Sequence, residues 1–228
     1  MKNFKFLIPA LALVMIIGAC QNRSSETAGN DSTMQDDESS MSMDGMNSMK
    51  SNEMMSAMSG MMDAMKQMTM TGNADVDFAM MMQRHYQGAV DMAAIELESG
   101  EDTTLKQLAQ KIIENQKTEI KELQAFIDAH KNPAKNYDPT KKNEGFAKSM
   151  EESMMVMMNM PKMDDESASS TDHRFVDMMI PHHQSAVDMA KGFLQYGKDD
   201  NLKSMATKIV EDQNMEIAEF KKWKSQVK

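Results

Sequence analysis

After residue 53, apolar side chains recur every three or four residues in six segments, and no segment alternates in and out with a period of two. That spacing predicts helices and no strands. The first segment, Met54, Met58, Met61, Met62, Met65 and Met68, falls at helical spacing with methionine as its main apolar residue. A helix follows over 74–99, capped by Asn73 or Asp75, and the run Ser99-Gly100-Glu101-Asp102 turns the chain into a helix over 103–130. The stripe of that helix is Leu105, Leu108, Ile112, Ile120, Leu123 and Ile127. Residues 131–145 carry Asn-Pro and Asp-Pro steps and read as a linker. A second Met-rich helix is predicted over 146–160, ended by Pro161, then a helix capped by Asp172 and ended by Gly197, and a last one over 201–227. Helices joined by such short turns are antiparallel neighbours.

The pattern is written twice. FAMMMQRHYQGAVDMAA from Phe78 aligns without gaps, 97 residues on, with FVDMMIPHHQSAVDMAK from Phe175. The same offset carries Gly100 onto Gly197, Ile112 onto Ile209, Gln116 onto Gln213 and Glu119 onto Glu216. The expected fold is therefore all-α: an antiparallel helical bundle of two repeated hairpins, each preceded by a Met-rich helix. Residues 54–130 make the first repeat and 146–228 the second, two half-bundles closing one core.

At about 100° per residue, Phe175, Met178, His182, Ser185 and Met189 share one narrow face. The matching face of the first repeat holds Phe78, Met81, His85, Gly88 and Met92. Two thioethers and an imidazole on successive turns form a soft donor set, suited to Cu(I) or Ag(I); the imidazole alone would also take Cu(II). Gln116 and Glu119, or Gln213 and Glu216, stand on the opposing helices where they could orient an imidazole through its other nitrogen. His183 falls on a different face, to serve a separate ion or meet solvent. His130 reads as a surface residue, and His173 as a weak candidate. The competing explanation is ordinary core, with each histidine buried against Gln or Glu. Against it, the motif occurs twice and 31 methionines stand beside 9 leucines, inverting the usual composition of helical cores.

These residues resemble the domain of unknown function 305 family, whose signature is F-x-x-M-M-I-P-H-H-Q-x-A-V-x-M-A followed by a helix carrying I-x-x-x-Q-x-x-E-I. The second repeat matches it closely. The first has Arg84 for the proline and Tyr86 for the second histidine. The resemblance covers roughly residues 54–228. It implies a ferritin-like helical bundle and, through CopM-like periplasmic members, an association with copper and silver resistance.

A formal charge of -10 speaks against nucleic acid as a partner and for cations. Lys2 and Lys5, an apolar run from Phe6 to Ile17, and Ile17-Gly18-Ala19-Cys20 read as a signal peptide over residues 1–20 with a bacterial lipobox. Lipidation of Cys20, the sole cysteine, would anchor the chain to a membrane of the cell envelope and leave only thioether and imidazole for soft metals. Residues 21–53 read as a disordered tether. Its part from Met41 to Met49 is a flexible Met-rich string, and twelve methionines fall between Met41 and Met70.

The leading expectation is an envelope lipoprotein that binds copper, with silver as an alternative, through Met and His, for sequestration, resistance or handover to a metal-transfer partner. A di-iron enzyme needs Glu-x-x-His pairs, and none of the five histidines has Glu three residues before it. A copper oxidase has no second constellation to support it. The remaining alternative is a structural or interaction lipoprotein whose methionines absorb oxidant as sulfoxide.

Overall fold

Two turns of three residues decide the topology. They join α2 (Ala74–Ser99) to α3 (Thr103–Ala129) and α5 (Thr171–Tyr196) to α6 (Asp200–Gln226), while α1 (Met43–Lys66) and α4 (Gly145–Met158) precede the two hairpins. The computed structural model describes residues 43–158 and 170–227, with side chains from residue 52 on. Cys20, the expected tether before Met43 and the expected stop at Pro161 lie outside the described residues. Among the described residues the chain is all-α, and no helix is long and apolar enough to cross a membrane.

Each hairpin begins and turns where side chains satisfy free backbone N–H groups. Asn73 caps α2, accepting from the N–H of Asp75 and Val76, and Asp102 caps α3 through Thr104 and Leu105. Asp199 caps α6 through Leu202. At α5 the cap is Ser170, which accepts from the His173 N–H, and not the expected Asp172. Asp172 sits two residues further in and reaches across to the other hairpin. Its Oδ1 accepts from the backbone N–H of Glu101 at 3.1 Å and of Asp102 at 2.9 Å. Asp75 does the converse, accepting from Lys198 at 2.7 Å and Asp199 at 2.9 Å. The two hairpins are thus buckled at both ends by a buried carboxylate from one helix on the turn of the other.

Glycine is needed at both turns for closeness, since Gly100 and Gly197 have φ of -66° and -62°. A Cβ at Gly100 would overlap the Glu96 carboxyl, and one at Gly197 the Phe193 ring. Glu96, fully buried, meets no donor for either oxygen and faces Asp172. Burial first, then the Asp172 carboxylate, push its pKa up to about 9, so at neutral pH Glu96 holds the proton between the two acids. Because the folded pKa is raised above 4.5, this contribution to stability is fully present below pH 4.5 and lost as pH rises through about 9. The native chain is expected to lose on the order of 1–2 kcal/mol between pH 5 and pH 9 through this group, part of the full linkage because a helix end opens locally. Glu96→Gln should flatten that slope in urea unfolding. An unchanged slope would show that the acid pair does not share a proton.

The linker is fastened by Asp77, which accepts from Thr71, the Gly72 N–H and the Tyr137 hydroxyl, the last at 2.6 Å. Gly72, at φ +85°, permits the bend.

Helix α1 starts at Met43, eleven residues before the expected Met54, so part of the string read as flexible is helical. Ser, Asn and Asp between the methionines mask the period, yet Met, Lys and Ala favour helix and no proline intervenes. Its buried face is Met54, Met58, Met61 and Met65. Helix α1 packs on α2 and α5, α4 packs on α5, and α3 and α6 flank α2 and α5 respectively. The central helices α2 and α5 run antiparallel: Phe78 stacks on Phe193 with centroids 4.1 Å apart, while seven residues along α2 His85 meets His182. One core spans all six helices, and methionine is its most frequent residue.

Candidate functional site

His85 and His182 come from facing turns of α2 and α5, and both are 0% exposed. Their rings lie 3.7 Å apart, centroid to centroid, tilted by 35°. Neither nitrogen of His85 has a hydrogen-bond partner, nor has His182 Nδ1. The polar contacts of this pair are His182 Nε2 to the Met61 sulfur, at 3.3 Å, and a weaker one of the His182 ring to the His85 backbone. Burial, then the neighbouring His183, hold the His85 pKa down to about 3, and burial with the two other imidazoles holds His182 well below its usual value. Both rings are therefore neutral, with lone pairs free of protons, as a metal requires.

Gly88 lets the thioether in. Met61 lies against it so closely that a Cβ there would stand 2.6 Å from the sulfur and 2.9 Å from the Met61 Cβ. At the aligned position of α5, Ser185 instead donates its hydroxyl to the Ser153 carbonyl of α4 at 3.0 Å. The antiparallel register sets Met81 level with Met189 on one side of the imidazole pair and Met92 level with Met178 on the other, all four buried.

The partners expected to orient imidazoles divide. Glu216 Oε2 takes His183 Nε2 at 2.9 Å and the Gln213 amide at 3.4 Å. His183 is thus buried, packed edge-on to Phe220, and does not meet solvent. Gln116 is buried with both amide atoms unpartnered, and Glu119 pairs with Lys208 Nζ at 3.1 Å; neither orients His85. Tyr86, in the place that aligns with His183, has its pKa raised by burial and then by Glu119, so it stays a neutral phenol. His130 is exposed against the Phe126 carbonyl, and His173 sits at the α5 cap beside Trp223. The sequence pattern brought His85 and His182 to equivalent faces but did not show that they meet each other. It also missed Met61, for which the only signal was a glycine on the helix face beside the histidine.

Neutral imidazole and thioether are soft to borderline donors, and among the described residues no three His, Cys, Asp or Glu converge as a metal set. The arrangement therefore fits a low-coordinate soft cation and does not fit an oxygen-ligated dication.

No curated protein matches the chain. Among solved structures, CopM in a Cu(I)-bound form is similar at 30% identity and a TM-score of 0.50, covering 67% of this chain and 96% of that one. CopM in an Ag-bound form, obtained by soaking, is similar at 28% identity and a TM-score of 0.50, over 67% and 95%. An apo form of CopM matches at 30% identity over the same shares as the Cu(I) form. The model for "Domain of unknown function (DUF305)" matches residues 75–224, from the start of α2 nearly to the end of α6, and the chain belongs to that family.

Proposed function

We propose that this protein binds Cu(I), and Ag(I) in its place, at the facing imidazoles of His85 and His182 with the Met61 thioether. The observation that carries this is the set of unpartnered nitrogens in an apolar core, three on two neutral rings. A buried polar atom without a partner costs about 1–3 kcal/mol, and an ion bound there recovers that loss. The Cu(I)- and Ag-bound forms of the similar CopM support the same cargo. Neutral donors leave the ion its single charge, which suits retention and release more than catalysis, so the chain acts as a binder in sequestration, resistance or handover.

The duplicated sequence gives one shared site between two hairpins, since each repeat supplies one histidine. The signal-like run and the lipobox at Cys20 support a location on the bacterial envelope through a lipid anchor, facing the periplasm or the exterior.

Anaerobic competition between a Cu(I) chelator and the chain from residue 22 onward is the test. Tight binding that Met61→Leu weakens by about tenfold is expected, an effect of the size seen when a metal's supporting group is lost. Absence of Cu(I) binding would sink the proposal. Truncation before residue 71 would be a poor test, because it deletes α1 and with it Met61.

A further inference from the structure

A second cluster of thioethers lies at the surface end of the bundle. A cleft of about 540 Å³ opens between the end of α1, the loop after it and α4. Met65, Met68 and Met70 line one side, Met150, Met154 and Met158 the other, and Met81 is at the floor. No Leu, Ile, Val or Phe is among the lining residues, although any of them would fill a groove as well. Met158 is 44% exposed, whereas Met65 and Met81 are almost wholly buried, so the cluster runs from solvent into the core. Glu151, at the rim, pairs with Lys142 at 3.0 Å, which neutralises one of the lysines there.

We infer that this cleft is a separate all-thioether site for a soft monovalent cation, Cu(I) or Ag(I), and the place from which the ion passes to the buried imidazoles. Two side chains link them. Met65 stands one helical turn from Met61, whose sulfur touches His182, and Met81 stands one turn from His85. Thioethers are neutral and lose no proton on binding, and they exchange ligands among themselves without a change in charge. A row of them moves a soft cation inward by successive replacement of one sulfur by the next. The inward step rests on the site proposed above, whereas binding in the cleft does not.

The experiment uses the whole mature chain with methionine methyls labelled in carbon-13, titrated with Ag(I), which is stable in air. The cleft methyls of Met68, Met70, Met154 and Met158 are expected to shift first and that of Met61 later. Met70→Leu, Met154→Leu and Met158→Leu together should remove about one equivalent of bound Ag(I) and delay the Met61 shift. In His182→Leu the cleft methyls should still shift while Met61 does not. If Met61 shifts in the native chain and the cleft methyls stay still at saturation, the cleft inference is overturned and the buried site stands. If the cleft methyls shift and Met61 never does, the inward passage fails together with the buried site. Should the triple leucine variant bind as much Ag(I) as the native chain, the cleft is packing alone.

Discussion

His182→Leu is expected to hold Cu(I) about a hundredfold less tightly than the native chain, because one imidazole of the facing pair and the contact to Met61 disappear together. The same change should leave the metal-free protein as stable as before, or somewhat more stable. Leucine fills a similar volume, and it removes the unpartnered Nδ1 from a core in which such an atom is costly. A histidine kept for structure behaves in the opposite way: deleting it leaves its partner stranded and lowers stability. Chelator competition and urea unfolding, run on the same variant, separate the two roles. Unchanged Cu(I) affinity, with a clear loss of stability, would make His182 an ordinary core residue.

Gly88→Ala should destabilise the fold by about 2–3 kcal/mol, a typical penalty for an overpacked core. On helix propensity alone the substitution would gain about 0.5–1 kcal/mol, so the sign of the measured change tests the packing directly. The added Cβ would lie 2.6 Å from the Met61 sulfur and 2.8 Å from its Cγ, and the contact includes the root of the side chain as well as its mobile end. Helix α1 must therefore shift away from α2, carrying the thioether off His182 and weakening Cu(I) retention as well. A variant at least as stable as the native chain would show that α1 does not press on α2 at this point.

The two substitutions act on the site from opposite sides, one by removing a donor and the other by displacing one. Their effects on affinity should not add, since Met61 and His182 are in contact.

Much of the fold could be read in one dimension because helices are local. The 3.6-residue period located α2, α3, α5 and α6 to within a few residues, and Gly100 and Gly197 marked their turns. What failed in that reading failed for a physical reason. The start of α1 was hidden by polar residues that a helix on the surface of a bundle can carry without loss. Asp172 looked like the cap of its own helix, but Ser170 performs that task; of the two candidates at α2 Asn73 is the cap, and Asp75 and Asp172 are free to buckle the opposite turns. No local rule reports a hydrogen bond between positions 70 or more residues apart.

The candidate site divides along the same line. Helical periodicity fixed which residues share a face, so His85 and His182 with their flanking methionines were legible from spacing, as was the soft character of the donors. That these two imidazoles face each other, that Met61 arrives over Gly88, and that Glu216 belongs to His183 are consequences of packing between helices. A side chain's face is set by the backbone angle between neighbours in sequence, whereas its partner is set by the register in which two helices close, and that register is decided by the whole core at once.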